Sequence, residues 1–281
     1  MFQLSLPRGR TLDLQRPQVM GIVNATPDSF SDGGKFYKND SAVNQALMLL
    51  EQGASILDIG GESTRPGAAD VTLNEELDRV IPVIEAIRAK SECVISIDTS
   101  KAEVMKQAVL AGADIINDVR ALQEEGCLEV AAEFSDVPVC LMHMQGQPRT
   151  MQLDPKYDHL INDIKAFFES RITACERVGI ERSRLILDPG FGFGKSLPHN
   201  FELLGKFNQF SDLNLPLLAG LSRKSMFGNL LNRDTSERLA ASLAGALLCA
   251  QKGAHIIRVH DVRETSDVLQ VWSAANHGVT K

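Results

Sequence analysis

The chain has 281 residues, a formal net charge of −7, 44% hydrophobic residues and 23% charged residues. This length suits one large α/β barrel or two modest domains, and the composition is that of an ordinary globular protein. The acidic balance argues against a nucleic-acid-binding protein, but a local basic pocket could still accept a small anionic substrate.

Eight short segments rich in Ile, Leu and Val alternate with helix-like segments along the chain. We predict strands over residues 19–23, 56–59, 94–98, 115–117, 139–142, 185–188, 217–221 and 256–259. Strands of this composition are buried on both faces, as in parallel sheets covered by helices.

Roughly eight strand–helix units in about 280 residues predict a (β/α)8 TIM barrel, with residues 1–281 forming a single domain. We expect residues 1–16 to form an additional hairpin that closes the bottom of the barrel. A doubly wound open sheet is the alternative, but the glycine-rich motifs typical of its first turn, GxGxxG and GxxxxGK[ST], do not occur.

Start and end signals of helices lie between the predicted strands. Ser41 is a candidate N-cap for a helix that ends at Gly53, and Gly112 is placed to end another. Four pairs have the spacing of an N-terminal capping box: Thr72 with Glu75, Ser100 with Glu103, Asp234 with Glu237, and Asp261 with Glu264.

The five cysteines are scattered and form no CxxC pair, which argues against a structural zinc site. An odd number without a disulfide framework predicts a reducing compartment. The amino-terminal residues lack a long apolar signal segment, and no continuous apolar stretch has the length of a membrane span. We therefore expect a cytoplasmic protein.

Three predicted strands end in an acid or an amide, namely Asp98, Asn117 and Asp188. Because the carboxyl ends of parallel barrel strands form one rim, these side chains are expected to face one cavity. Acids and amides recognise heterocycles that carry N–H donors, and a carboxylate can bind an amino group and a ring N–H together. The alternative is that Asp98 and Asp118 only cap the helices that follow them.

Cationic groups follow two other predicted strands. Arg258 and His260 precede a predicted helix, and two such donors at a helix amino terminus favour an anion site. A surface pair after an edge strand is the weaker alternative, because the preceding apolar residues require a buried strand. Lys224 has three interpretations: a Schiff-base lysine, a hydrogen-bond donor to a ligand carbonyl, or part of a solvated basic turn.

Two long loops and a glycine-rich segment provide further candidates. Arg65 lies in a loop with hydroxyl side chains, which suits an anionic ligand. Asn24 and Asp28 offer oxygen ligands for Mg²⁺, an ion that usually also binds substrate phosphates and water. Phe193 provides an aromatic face between glycines, whereas His143 has no assigned role beyond packing.

Seven segments together resemble the bacterial dihydropteroate synthase family, and the resemblance extends from about residue 19 to the final helix. They are Asn24-x-Thr-Pro-Asp-Ser-Phe-Ser-Asp-Gly-Gly34, Asp58-Ile-Gly-Gly-Glu-Ser-Thr-Arg-Pro-Gly67, Ile97-Asp-Thr-Ser100, Ile116-Asn-Asp118, Leu187-Asp-Pro-Gly-Phe-Gly-Phe-Gly-Lys195, Ser222-Arg-Lys-Ser225 and Arg258-Val-His-Asp261. The segments occur in the order found in that family.

The resemblance implies a folate-biosynthesis enzyme that joins 6-hydroxymethyl-7,8-dihydropterin diphosphate to p-aminobenzoate and releases pyrophosphate. Its implied pterin contacts are Asp98, Asn117, Asp188 and Lys224. Its implied diphosphate contacts are Thr64, Arg65, Arg258 and His260, together with Mg²⁺ held at Asn24. Its implied p-aminobenzoate contacts are Pro66, Phe193 and Ser225. Arg258, Lys224 and Asp98 would be the catalytic residues.

The resemblance further implies competition by sulfonamides and a homodimer. A pterin-binding methyltransferase subunit, which uses a similar barrel and passes a methyl group to a corrinoid partner, is the alternative function. The Arg65 loop and the 222–225 segment favour the synthase. A Schiff-base aldolase that uses Lys224 is a third interpretation.

Overall fold

The structure is a computed structural model that describes residues 2–25, 35–63, 70–146, 151 and 155–279, with only the backbone described over 35–39. The strands are β1 (Gln3–Leu6), β2 (Arg10–Asp13), β3 (Gln18–Asn24), β4 (Ile56–Gly60), β5 (Val94–Asp98), β6 (Ile115–Asp118), β7 (Val139–Met142), β8 (Leu185–Asp188), β9 (Leu218–Ala219) and β10 (Ile256–Val259). The helices are α1 (Lys35–Glu51), α2 (Leu73–Arg88), α3 (Ala102–Ala111), α4 (Cys127–Glu133), α5 (Leu160–Arg177), α6 (Leu197–Gly205), α7 (Ser225–Leu231), α8 (Leu239–Gln251) and α9 (Val262–His277).

Strands β3 to β10 form an eight-stranded parallel sheet in the order β8-β7-β6-β5-β4-β3-β10-β9. A parallel bridge between Leu187 and Leu217 joins the two ends, and the amide of Leu187 donates to the Pro216 carbonyl at 2.9 Å. The sheet therefore closes on itself with helices around it, which confirms the predicted (β/α)8 TIM barrel.

Alternation along each strand separates two apolar layers. Leu57 and Ile59 of β4, like Ile95 and Ile97 of β5, belong to the large core between strands and helices. The residues between them point to the barrel interior, because successive side chains of a strand face opposite sides. This alternation turns Asp58 inward, where it is fully buried.

The bottom of the barrel is covered by an antiparallel hairpin of β1 and β2, in which Leu4 pairs with Leu12. A separate apolar cluster contains hairpin side chains together with the first inward residues of the barrel strands. Its buried members are Leu4, Leu6, Leu12, Leu14, Met20, Ile56, Ile115, Cys140, Ile186, Leu218 and Ile256. The polar part of the interior therefore begins above this layer.

An ionic cluster attaches the hairpin to the barrel. The fully buried carboxylate of Asp114 pairs with Arg8, Arg10 and Arg88, the last at 2.7 Å, and accepts the Ile95 amide at 2.9 Å. A buried carboxylate needs such partners, because an unpaired charge in the interior is very costly.

Two of the predicted capping boxes are confirmed. The Thr72 amide donates to Glu75 Oε2 at 2.9 Å and the Glu75 amide donates to Thr72 Oγ1 at 3.3 Å. Asp234 and Glu237 form the same reciprocal pair at a short 3-10 turn. Local sequence determines these starts, since both partners lie within one turn.

Ser41 and Ser100 are not N-cap residues, whereas Asp261 is the N-cap of α9 but lacks the predicted capping box. Helix α1 begins at Lys35, before Ser41. The side chain of Ser100 donates to Asp118 instead of capping α3, and that of Asp261 pairs with Arg223 instead of capping α9. In the last two cases a partner from another segment displaces the local one. None of the described helices is both long and apolar enough to cross a membrane.

Candidate active site

The polar residues of the barrel interior lie towards the carboxyl ends of the strands. The alternation places there Asn24 on β3, Asp58 on β4, Ser96 and Asp98 on β5, Asn117 on β6, Asp188 on β8 and Arg258 on β10. Active sites of TIM barrels are built at this end, from several different strands.

Arg258 links two carboxylates from neighbouring strands. Its Nε donates to Asp58 Oδ2 at 2.6 Å, and its Nη2 donates to Asp98 Oδ2 at 2.6 Å. The Nδ2 of Asn117 donates to the same Asp58 oxygen at 3.1 Å. Asp58 is 0% exposed, whereas the side chain of Arg258 is 23% exposed. Asp58 therefore forms the base of a network that reaches the surface of the pocket through Arg258.

The electrostatics of this network follow from burial. Burial raises the pKa of Asp98 to about 7; the charge of Arg258 opposes this shift, and those of Asp58 and Asp118 add to it. Burial alone would lower the pKa of Arg258, but the two carboxylates outweigh it and raise this pKa. The guanidinium is therefore charged at every physiological pH, and Asp98 is the titratable member.

Asp188 lies next to Arg258 across Gly220. A Cβ atom on Gly220 would lie 3.8 Å from Asp188 Oδ2 and 3.8 Å from Arg258 Cβ. Oδ1 of Asp188 accepts the Gly190 amide at 2.8 Å. Burial raises the pKa of Asp188, opposed by this hydrogen bond and by the charge of Lys224. The structure therefore brings Asp188 and Arg258 to one mouth, as the sequence predicts.

Lys224 occupies the same mouth from the loop after β9. Its Nζ donates to the Phe191 carbonyl and lies 4.2 Å from the ring centroid of Phe193, a cation–π contact. Burial lowers the pKa of Lys224 to about 8, and the charge of Asp188 opposes that shift. These contacts exclude the interpretation of Lys224 as part of a solvated turn.

The loops after β9 and β10 are joined to each other. His260 Nδ1 lies 3.1 Å from Ser222 Oγ, and its backbone amide donates to the same oxygen at 3.2 Å. Arg223 pairs with Asp261 across the same junction. Ser225, the first residue of α7, is exposed. His260 therefore contacts the loop that leads into Ser225 and α7.

The first two loops are only partly described. Asn24 is half-buried at the tip of β3, where it pairs with Gly60 of β4. Thr64, Arg65 and Pro66, like Asp28, lie outside the described residues. Their predicted roles stay predictions.

Sequence reasoning missed Asp58 as a member of this site. An acid between Leu57 and Ile59 in an apolar run was the available signal, because such a residue must face a polar interior. Sequence reasoning likewise did not predict that two carboxylates, Asp58 and Asp98, pair with Arg258. Asp118 faces the outer layer and accepts the Arg120 and Leu122 amides within the turn that follows β6. The prediction that it caps the next helix is wrong, because α4 begins at Cys127 and its N-cap is Gly126.

Fold and site together define a barrel enzyme whose mouth gathers carboxylates and an amide and holds Arg258 and Lys224 beside them. The family described as pterin binding enzyme matches residues 20–260. This match extends from within β3 to just past the end of β10, and so includes all eight barrel strands.

Three relatives narrow the assignment. The dihydropteroate synthase of Escherichia coli (strain K12) is 56% identical over 267 residues, which cover 95% of this chain and 94% of that protein. The structure of Yersinia pestis dihydropteroate synthase in a sulfonamide drug complex has a TM-score of 0.92 and 53% identity, covering 98% and 99% of the two chains. The Xanthomonas albilineans enzyme with 4-aminobenzoic acid has a TM-score of 0.90 and 51% identity, covering 96% of each chain. The chain belongs to the dihydropteroate synthase family of pterin binding enzymes, and is a transferase.

Proposed function

We propose that the residues at the barrel mouth carry out the dihydropteroate synthase reaction in folate biosynthesis. The nitrogen of p-aminobenzoate forms a bond to the methylene carbon of 6-hydroxymethyl-7,8-dihydropterin diphosphate, the carbon–oxygen bond to the diphosphate breaks, and the amine loses a proton. The observation that carries this assignment is the convergence of Asp58, Asp98, Asn117 and Arg258 from four strands beside Asp188.

The pterin ring is held by the acids and the amide. Asp188 accepts from the amino group and ring N–H, and Asp98 and Asn117 bind along the same ring. The contact with Asp58 makes Nδ2 of Asn117 a donor, which leaves the acceptor role towards the ligand to its Oδ1. Lys224 donates to the ring carbonyl.

The departing pyrophosphate is stabilised by cations. The pterin ring delocalises the positive charge left on the methylene, so the leaving group can depart before the arylamine attacks, and the attack needs no strong base. Arg258 has five N–H donors, and its contacts with Asp58 and Asp98 use two of them. It therefore donates to the diphosphate together with His260, Thr64 and Arg65. Removing one such donor typically costs about 10²–10³-fold in rate.

Mg²⁺ fits this site at Asn24. The amide oxygen is a hard ligand at the tip of β3, and Mg²⁺ commonly takes one or two protein oxygens plus phosphates and water. The described residues contain no group of three or more His, Cys, Asp or Glu placed to hold a metal. When bound, the ion would neutralise charge that develops on the diphosphate.

The p-aminobenzoate ring lies against Phe193, Ser225 and Pro66. Related enzymes have been solved with 4-aminobenzoic acid, from Xanthomonas albilineans, and with a sulfonamide drug, from Yersinia pestis, which supports p-aminobenzoate as a substrate of this chain. A sulfonamide that binds against the same residues should compete with p-aminobenzoate. The methyltransferase alternative is not favoured, because the matched relatives are synthases.

We also propose that the chain is a single-domain, cytoplasmic homodimer. All five cysteines are free, which agrees with a reducing compartment. Exposed apolar side chains on the last three helices support an interface between two copies; they include Leu230, Leu231, Leu248 and Val271.

A coupled assay of pyrophosphate release tests the function, with each substrate omitted in turn. We expect release only when both substrates are present. Calorimetry with Asp188→Ala should show loss of pterin binding, because the ring loses its bidentate acceptor. Asp212→Ala, at a carboxylate whose side chain is 72% exposed, is the control and should bind normally. Unchanged pterin affinity in Asp188→Ala would refute the role of that residue.

A further inference from the structure

A fully enclosed lysine lies beneath the mouth of the barrel. Lys195 is 2% exposed, and its Nζ lies 2.9 Å from the Gly190 carbonyl, 3.1 Å from the Phe193 carbonyl and 2.9 Å from His143 Nδ1. Burial lowers the pKa of Lys195 well below its ordinary value, and the charge of Asp188 opposes that shift. In either protonation state Nζ has N–H donors for both carbonyls. Burial lowers the pKa of His143 to about 2, with the charge of Lys195 adding to the shift, so the imidazole is neutral and can accept.

The glycine-rich loop that precedes Lys195 has a tightly constrained backbone. Gly190, Gly192 and Gly194 all have positive φ, from 62° to 78°. A Cβ atom on Gly190 would lie 2.0 Å from the His143 carbonyl, and one on Gly194 would lie 2.4 Å from the Gln145 carbonyl. The loop therefore packs tightly against the residues that follow β7. The carbonyls of Gly190 and Phe193 point towards Nζ of Lys195.

The same loop supplies two groups of the proposed pocket. The Gly190 amide donates to Asp188 at 2.8 Å, and the Phe193 ring lies under Lys224. Nζ of Lys195 thus holds the carbonyls of the same two residues, Gly190 and Phe193. Its charge also favours the ionised form of Asp188.

We propose that Lys195 is a positioning residue that holds the 188–195 loop in the shape required for pterin binding; this inference depends on the proposed function. Lys195→Met keeps the length of the side chain but leaves two carbonyls and an imidazole without their donor. The loop then relaxes, and Asp188 and Phe193 lose their orientation.

The test is the steady-state kinetics of Lys195→Met at a temperature where circular dichroism shows it folded. We expect KM for the pterin diphosphate to rise at least tenfold, with kcat within threefold of the wild type. A merely structural role would reduce the folded fraction, which lowers the apparent kcat and leaves KM unchanged. That result would overturn the proposal.

One control variant and one further pair of variants complete the design. Lys206→Met removes a half-exposed lysine that pairs with Glu202, and should leave both constants unchanged. If Lys195→Met does not fold, His143→Asn keeps an acceptor near the position of Nδ1 and His143→Leu removes it. Only His143→Leu should raise KM, and equal KM values would overturn the proposal. If the wild type is active and the KM of Lys195→Met is unchanged, this proposal is wrong but the proposed function stands. If the wild type itself is inactive, the proposed function is refuted.

Discussion

Asp58 is the residue whose replacement tests the site most directly. The substitution Asp58→Asn keeps the shape of the side chain and removes its charge. It acts on a carboxylate that is 0% exposed and accepts from both Arg258 and Asn117. Because no substrate contact is assigned to Asp58, any loss of activity must pass through its partners.

The size of the effect can be worked out from the contacts. At a charge separation of about 4 Å and an effective dielectric constant of about 20, one ion pair is worth about 4 kcal/mol. Arg258 keeps Asp98, and asparagine keeps one acceptor oxygen. We therefore expect the free energy of unfolding to fall by about 2–3 kcal/mol, just below the roughly 3–5 kcal/mol typical of a broken buried pair. A shift of Arg258 by about 1 Å should also lower kcat/KM by about 10²-fold.

Urea denaturation measures the first quantity, and pyrophosphate release measures the second. Asp212→Asn is the matched control, because Asp212 also pairs with a cation, Lys165, but its side chain is 72% exposed. It should change stability by less than about 0.5 kcal/mol. If Asp58→Asn matches this control in both measurements, Asp58 does not organise Arg258, and the reasoning is refuted.

Two further predictions concern the titration of Asp98 and the shape of the 188–195 loop. Because the pKa of Asp98 is raised to about 7 in the folded protein, the folded state binds the extra proton between about pH 4 and pH 7. The unfolding free energy of the wild type should therefore fall relative to Asp98→Asn as pH rises through this window; a difference that rises or stays flat contradicts the assignment. Gly190→Ala should lower both the melting temperature and pterin affinity, because its Cβ would meet the His143 carbonyl at 2.0 Å. Gly179→Ala has the same left-handed strain (φ 87°) with nothing within 4 Å, and should keep its pterin affinity; equal affinities in the two variants would contradict the role of the clash.

The barrel could be predicted because its signals are local. Each strand is a short apolar run, and the structure places β5, β7, β8 and β10 at the predicted residues. The box of Thr72 and Glu75 is likewise present, since both partners lie in one helical turn. Because parallel barrel strands present their carboxyl ends on one rim, Asp98 and Asp188 could then be predicted to lie on the same rim.

The partners of these residues were decided by tertiary structure. Arg258 and Asp58 are 200 positions apart in the chain, and no local pattern states that they pair. Asp261 has a local partner at the capping-box spacing, yet it pairs with Arg223.

Sequence by itself thus determined the strands, their order and the polar character of one rim, because backbone geometry and side-chain alternation act over a few residues. Closure of the barrel decided which charges meet and which are buried. A buried charge must find its counter-charge wherever the fold brings one near, as Asp58 does in Arg258.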